Sequence, residues 1–556
     1  MKTPGFFASA TPARRTFQGD DGSGPQSVDM MGRSPSTKLL PQLAPPSWAA
    51  TPLALNAALL TTDNDATGVE SATLAGHATP AGHATPAEHA TPAGHATPAE
   101  HATLAEHATL AEHASPAEHI RLAETASEAE HISTLERLAI AERFVTREGT
   151  TLSEERMVPL KDSSSFHSLR GTPPLFDGVF LGGFECSCHK LENGRRLDVT
   201  RATHHDEFAN QDYARLRDMG MTACRDGVSW VDVERIQHVY DFSGVLSRVR
   251  AAENQRVEVI WDMMHFGWPD SVDVFSTDFP RRFGRYAAAF AKWFANETDT
   301  RAMIAPINEM SFLSWAGGDV RYMNPFQAAR GVELKVQLVR ATIEAIEAIR
   351  GVLPNARFLQ PEPVINIVAA LDHPKTWRRV ESDNLLQFQV WDMLSGRIWP
   401  SLGGHERYLD VIGVNFYSDN QFMLDGTTIY RGDERYRPFS ELLSNVWDRY
   451  QRPMIVSETG HEGVERAPWL RYVCDECCAA LESDCELHGI TLYPVVNTLG
   501  WGDDRPCENG LWEDANDRGE RAVHRPLAEE IRRQTRRLLA SRARRLARVA
   551  RQRLIA

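Results

Sequence analysis

The sequence predicts an α/β protein built on a closed barrel of eight parallel strands alternating with helices, a (β/α)8 or TIM barrel. A disordered N-terminal region precedes the barrel and a basic helical C-terminal tail follows it. Three observations predict this. Eight short apolar segments bounded by turn residues are separated by stretches with helical spacing, and eight such alternations close a parallel sheet rather than leave it open. Twelve of the 13 tryptophans lie beyond residue 200, whereas nine of the 20 histidines fall between His77 and His131 among alanine, threonine and proline, so a core can be built only in the later part of the chain. Finally, residues 525–556 hold eleven arginines against Glu529 and Glu530, a local charge of +9 that leaves −24 on the other 524 residues.

Composition bounds the function classes. Of the 556 residues, 42% are hydrophobic and 24% charged, which suits a globular protein and excludes a chain that is membrane-embedded, collagen-like or disordered throughout. The formal charge of −15 argues against nucleic acid as a partner of the barrel, because phosphate backbones are bound mainly through lysine and arginine. No run approaches the roughly eighteen apolar residues of a transmembrane helix. Arg14-Arg15 with Thr16-Phe17 is followed by Gln-Gly-Asp-Asp-Gly-Ser-Gly and not by an apolar stretch, so no export signal is read. Eight cysteines in so long a chain make no secreted disulfide framework, and reduced thiols in a cytoplasmic setting are expected.

In chain order, 1–76 read as a disordered leader, rich in Pro, Ser, Thr and Gly without a sustained period. Residues 77–170 form a low-complexity region on a hexapeptide repeat, HATPAG, HATPAE, HATLAE and variants. Proline at 80, 86, 92 and 98 blocks a helix there, and alanine is too small to fill a core. After Pro116 the prolines stop, and 117–145 takes helical spacing. A histidine ladder on so flexible a segment keeps its nitrogens apart, and neither metal nor cofactor is expected.

The barrel is expected over 171–535, with strands at 178–184, 221–226, 257–265, 303–308, 357–362, 409–416, 453–458 and 489–496. The helices between them include 207–219, 281–296, 327–351, 439–450 and 468–487. On the last of these, Cys474, Cys477 and Cys478 share one face, with Cys485 beyond; buried thiols packing a helix fit this spacing better than a zinc site. The tail, 536–556, continues a run in which Leu538, Leu539, Leu546, Val549 and Leu554 punctuate the arginines, the pattern of a basic amphipathic helix able to contact an anionic surface or to lie on the acidic body.

In such a barrel the chemistry lies at the carboxyl ends of the strands. Those ends are polar at nearly every position: Glu185, Arg225 and Asp226, His265, Asn308 and Glu309, Glu362, Asn415 and Tyr417, and Glu458, with Trp501 after the eighth strand. Burying so many hydrogen-bonding groups costs a few kcal/mol each unless they are paired, so convergence on a polar ligand is the economical explanation. Glu309 in Ile-Asn-Glu-Met-Ser and Glu458 in Ile-Val-Ser-Glu-Thr-Gly each follow a hydrophobic strand. Two carboxylates across a cleft are what cleavage of a glycosidic bond requires, one to protonate the leaving oxygen and one to attack the anomeric carbon or activate water.

These residues resemble those of retaining (β/α)8-barrel glycoside hydrolases, closest to the β-glucosidase family, glycoside hydrolase family 1. The matching motifs are Asn308-Glu309, Ser457-Glu458-Thr459-Gly460, Trp261-Asp262 through His265-Phe266-Gly267-Trp268-Pro269, Gly413-Val414-Asn415-Phe416-Tyr417, and Arg225 in Cys-Arg-Asp-Gly-Val-Ser-Trp. The chain departs from the pattern at two sugar-specificity positions, with Gly182-Gly183-Phe184-Glu185-Cys186 at the first strand and Gly500-Trp501-Gly502-Asp503-Asp504-Arg505 after the eighth. The resemblance implies that Glu458 is the nucleophile and Glu309 the acid/base. It implies further that Arg225 sits beside Glu458, Asn308 binds the sugar 2-hydroxyl, Tyr417 orients the nucleophile, Trp501 stacks on the ring, and His265 and Glu185 hold other hydroxyls. A carbohydrate-binding barrel without catalysis is the alternative.

Overall fold

The computed structural model describes residues 174–370, 376–502 and 504–555. The expected leader, the repeat and the helix over 117–145 lie outside the described residues. Eight strands close a parallel barrel: β1 (Phe180–Gly183), β2 (Ala223–Gly227), β3 (Glu258–Asp262), β4 (Met303–Ala305), β5 (Arg357–Pro363), β6 (Val411–Asn415), β7 (Met454–Thr459) and β8 (Leu487–Leu492). Each pairs with its neighbours in sequence, and β8 returns to β1 with Ile490 opposite Phe180. All eight expected segments overlap a strand.

Around the barrel run α1 (His205–Asp218), α2 (Ser243–Gln255), α3 (Phe279–Glu297), α4 (Gly331–Arg350), α5 (Trp377–Leu385), α6 (Gln389–Leu394), α7 (Phe439–Tyr450), α8 (Arg466–Glu482) and α9 (Arg525–Ile555). Local chemistry agrees with these limits. Asp206 and Glu207 open α1 and Arg215 and Arg217 close it, matching the helix dipole, and Pro280 sits in the first turn of α3, where no amide partner is lost. The helix expected over 468–487 ends earlier. Ser483 caps α8 and Asp484 turns the chain with a left-handed φ of 66°, so Cys485 leaves the helix and β8 begins at Leu487. Apolar spacing continued through a turn that Ser-Asp imposes.

Strand alternation sorts the side chains. Leu181, Ala223, Ile260, Met303, Ala305, Leu359, Val411 and Ile455 meet inside the barrel, with Leu175 and Phe176 in the same cluster ahead of β1. Two residues further along, the same inward rows deliver Gly183, Arg225, Asp262, Gly413 and Ser457 toward the carboxyl end, and Asn415 follows two beyond Gly413. In β7 the register shifts after Val456 against both neighbouring strands. Such an irregularity allows consecutive residues to reach one face, and both Ser457 and Glu458 bond to inward groups.

The outward rows carry a second polar network. Asp226, next to Arg225, accepts from His205 Nε2 at 3.0 Å, Tyr213 Oη at 2.5 Å and Arg248 Nη1 at 2.5 Å. His205 Nδ1 meets Asp212 at 2.9 Å, and Arg521 pairs with Asp212 at 2.8 Å. All five partners are buried. Burial opposes a charge on His205, but Asp226 and Asp212 outweigh it and hold its pKa above the ordinary value, while Arg248 and His205 hold Asp226 far below its own against the effect of burial.

The arginine-rich end is one unbroken helix from Arg525, and it packs on α8. Leu527, Ala528, Ile531, Leu538 and Val549 are buried. Its buried Glu530 accepts from Arg471 of α8 at 3.0 Å, and its arginines pair with exposed acidic groups of α8 and the turn beyond it: Arg537 meets Asp475 at 2.5 Å and Arg548 meets Asp484 at 2.8 Å. Such exposed pairs contribute about 0–1 kcal/mol each, so the apolar stripe does most of the holding.

Replacing His205 by Leu is expected to leave Asp212 and Asp226 short of their donor and to destabilise the fold by about 3–5 kcal/mol in urea titrations. The pH dependence follows from the raised pKa: the contribution of His205 is full below its unfolded value of 6.5 and is lost as pH rises through the folded value, so the variant should lose this decline.

Candidate active site

The site is assembled around Arg225. From inside β2 its Nη1 donates to Glu458 Oε1 and to the Ser457 carbonyl, both at 3.0 Å, and its Nη2 donates to Asp262 Oδ2 at 2.6 Å and Asn308 Oδ1 at 3.0 Å. The ring of Tyr493 lies 5.2 Å from the guanidinium. Burial works against the charge, and Asp262 and Glu458 more than offset it, so Arg225 stays charged. Room for Tyr493 comes from Gly183, where an added Cβ would fall 2.1 Å from the Tyr493 ring.

Glu458 is fully buried and receives a second bond, from Tyr417 Oη to Oε2 at 2.9 Å. Burial and the carboxylates Glu458 and Glu309 raise the Tyr417 phenol well above its ordinary pKa, which keeps it a donor. Glu309 is set differently. It stands in a left-handed turn (φ 45°) just after β4, ahead of the short helix Met310–Leu313, and its Oε1 accepts from Asn415 Nδ2 at 2.8 Å. Ser457 Oγ donates to Asn415 Oδ1 at 2.5 Å and so turns the Asn415 amide nitrogen toward Glu309. Burial raises the Glu309 carboxyl well above its ordinary value; Glu458 adds to this, the Asn415 amide opposes it, and Glu362 adds again. One carboxyl is thus clamped by a cation and a phenol, and the other is buried with a single amide donor in the field of further acids.

His265 links the third strand to this centre. Its Nδ1 lies 3.0 Å from Asp262 Oδ2, and its Nε2 lies 3.1 Å from Asn308 Nδ2 and 3.6 Å from Glu185 Oε1. Because Asn308 Oδ1 is taken by Arg225, Asn308 Nδ2 must donate to Nε2, and His265 carries its proton on Nδ1. This bears on a metal. Cys186 Sγ, His265 Nδ1 and Asp262 Oδ2 lie 3.0 to 3.8 Å apart, within reach of one ion. In this structure the three are joined to one another by hydrogen bonds, His265 Nδ1 and Cys186 Sγ both meeting Asp262 Oδ2, and burial with Asp262 and Glu185 raises the Cys186 thiol well above its ordinary pKa. The cluster is a hydrogen-bonded relay.

Trp501 lies over the same end. Its indole is 5.5 Å from the ring of Phe266 and 6.2 Å from that of Phe312, three residues after Glu309, and its carbonyl meets His189 Nε2 at 3.1 Å. Glu185 accepts from the Ser187 amide at 2.9 Å and faces His265. The structure therefore brings Arg225, Asn308, Glu309, Tyr417, Glu458, His265 and Glu185 into one connected network, with Trp501 against aromatic residues of its rim. Separate from that centre, a cavity of about 250 Å³ opens between the loops after β3 and β4, lined by Trp268, Asp270, Phe275, Asn324 and Arg330.

Sequence reasoning quoted Asp262 and Asn415 within motifs without giving them work, although each ends its strand on the inner face. Tyr493 was missed. Its signal is indirect: it follows β8, and Gly183 across the seam leaves the space its ring occupies.

No family model matches the sequence, and no curated protein does. Solved structures are similar in fold. A β-glucosidase from Thermotoga maritima in complex with glucoimidazole aligns with TM-score 0.54 at 13% identity over 66% of this chain and 99% of its own. The AHE enzyme from Alicyclobacillus herbarius gives 0.53 at 14% over 64% and 98%. A family 1 β-glucosidase from Thermotoga maritima gives 0.53 at 11% over 65% and 98%. At these identities the likeness is one of fold, an eight-stranded parallel barrel ringed by helices. Among the described residues, no helix is long and apolar enough to cross a membrane.

Arg225→Met is expected to leave Asp262 and Glu458 buried without their counter-charge, lowering stability by about 3–5 kcal/mol, measurable by chemical denaturation at neutral pH.

Proposed function

We propose that the barrel is a retaining β-glycosidase, β-glucosidase-like in reaction, acting on a carbohydrate glycoside. The observation that carries this is the asymmetry of the two glutamates: Glu458 accepts from the Arg225 guanidinium and the Tyr417 hydroxyl through its two oxygens, and Glu309 is buried with its carboxyl shifted toward the protonated state. A double displacement needs that division.

In the first step an oxygen of Glu458 attacks the anomeric carbon while Glu309 gives its proton to the leaving oxygen. Consumption of the negative charge on Glu458 removes one cause of the raised Glu309 pKa, so Glu309 is then free to take a proton from the incoming water. Water releases the sugar from Glu458 with its starting configuration. Asn308, fixed between Arg225 and His265, serves the 2-hydroxyl; Glu185 and His265 form the edge for other hydroxyls, and Trp501 with Phe266 and Phe312 gives an apolar wall for the ring. No step calls for a metal. The working unit is taken as 171–535, with 1–76, 77–170 and 536–556 as appendages. A cytoplasmic setting fits eight cysteines of which none is in a disulfide.

Glu458→Ala should lower turnover of an aryl β-glycoside by roughly 10⁴-fold or more. Added azide should restore part of it, with a product of inverted configuration visible by NMR. Full activity in the variant would reject the assignment, and sugar binding without any turnover in the unaltered chain would favour a binding barrel. With the unaltered chain, kcat/KM should fall on the alkaline side as Glu309 loses its proton above the ordinary carboxylate range.

A further inference from the structure

Behind Glu309, on the outer side of the barrel, lie two buried ionisable groups that the two-carboxylate reaction does not use. Glu362 ends β5 in an outward position and is fully buried. Its Oε2 and Oε1 accept from the Ser311 amide at 3.0 and 3.4 Å. The neighbouring amide of Glu309 donates to the Pro361 carbonyl at 3.0 Å, so two consecutive residues of β5 hold the turn that carries Glu309. That turn needs holding. Glu309 is a non-glycine residue at φ 45°, a conformation that costs free energy, and its own side chain gives the following helix no cap. Across the gap, Lys335 of α4 is buried, donates from Nζ to Gln389 Oε1 at 2.9 Å and lies within electrostatic reach of Glu362 and Asp319.

We propose that Glu362, with Lys335 as its counter-charge, is a positioning residue for the acid/base: it fixes the backbone turn that presents Glu309 and sets a negative charge behind it. The inference rests on the reading of Glu309 as acid/base. The groups facing Glu309 are Glu458 from β7, Asn415 from β6, Tyr417 after β6 and Glu362 from β5. Those facing Glu362 are the Ser311 and Met310 groups and Lys335. Burial pushes Glu362 up to about 7 against these partners, so its charge develops as pH rises through neutrality, and on the alkaline side that charge favours the protonated form of Glu309.

The test is the pH profile of kcat/KM for an aryl β-glycoside, measured on the full chain. Glu362→Gln removes the charge and retains the shape. Its alkaline limb should move to lower pH by about one unit, with kcat reduced roughly 10-fold and KM within about twofold. Lys335→Met leaves Glu362 protonated through neutral pH and should move the limb the same way, and the double variant should move it no further than Glu362→Gln alone. Glu362→Asp keeps the charge and shortens the reach; it should lower kcat and leave the limb in place, which separates position from charge if the other variants fold poorly. An unmoved limb in folded Glu362→Gln, or additive shifts in the double variant, would overturn the proposal. If Glu458→Ala is inactive and rescued by azide while the Glu362→Gln profile matches the unaltered chain, only this inference fails; if Glu458→Ala keeps full activity, the catalytic reading itself fails.

Discussion

The burial of one guanidinium, that of Arg225, organises the carboxyl end of the barrel. Removing such a group from water is costly, and the cost is offset by counter-charges and well-placed acceptors, which Nη1 and Nη2 find. Four partners come from three other regions of the barrel: Asp262 from β3, Asn308 from the segment after β4, and Glu458 with the Ser457 carbonyl from β7. Arg is suited to this because its fork is planar, permanently charged and able to donate in several fixed directions at once. Because Asn308 must accept from it, the orientation of the amide follows, and from the amide follows the tautomer of His265. A single cation therefore fixes proton positions two residues away.

Next to it, Asp226 points the other way. Strand alternation places Arg225 inside the barrel and Asp226 against α1 and α2, where His205, Tyr213 and Arg248 complete it. One dipeptide thus ties the reacting centre to the helical shell, and the two networks share a backbone without sharing a hydrogen bond. The shift in β7 has the complementary effect, giving the inner face two polar residues where regular pleating would give one.

Much of this was legible in the sequence. The eight apolar segments locate the strands because short hydrophobic runs between turn residues have few other uses, and the polar strand ends pick out Glu309, Glu458, Arg225, His265 and Tyr417. What was not legible depended on geometry across the chain. Whether a strand-end residue faces in or out is unreadable once a register shift intervenes, as at Val456 to Glu458. Tyr493 contributes through the absence of a side chain at Gly183, more than three hundred positions earlier. The helix over 468–487 was overextended because apolar spacing ran on through Ser483 and Asp484, where a left-handed turn stops it. Glu362 was visible as a strand end, but its outward direction and its hold on Ser311 were not.

The eight cysteines are all buried, none is in a disulfide, and three of them, Cys474, Cys477 and Cys478, line one helix beneath α9. Burial suppresses the thiolate at Cys474 and Cys477, so in the folded chain they are poor nucleophiles as well as inaccessible ones. Their alkylation must wait for a local opening that exposes the buried face of α8. The helix pair is in effect a shuttered set of reporters, and the rate at which a thiol reagent consumes them is a clock for local opening at the edge of the barrel.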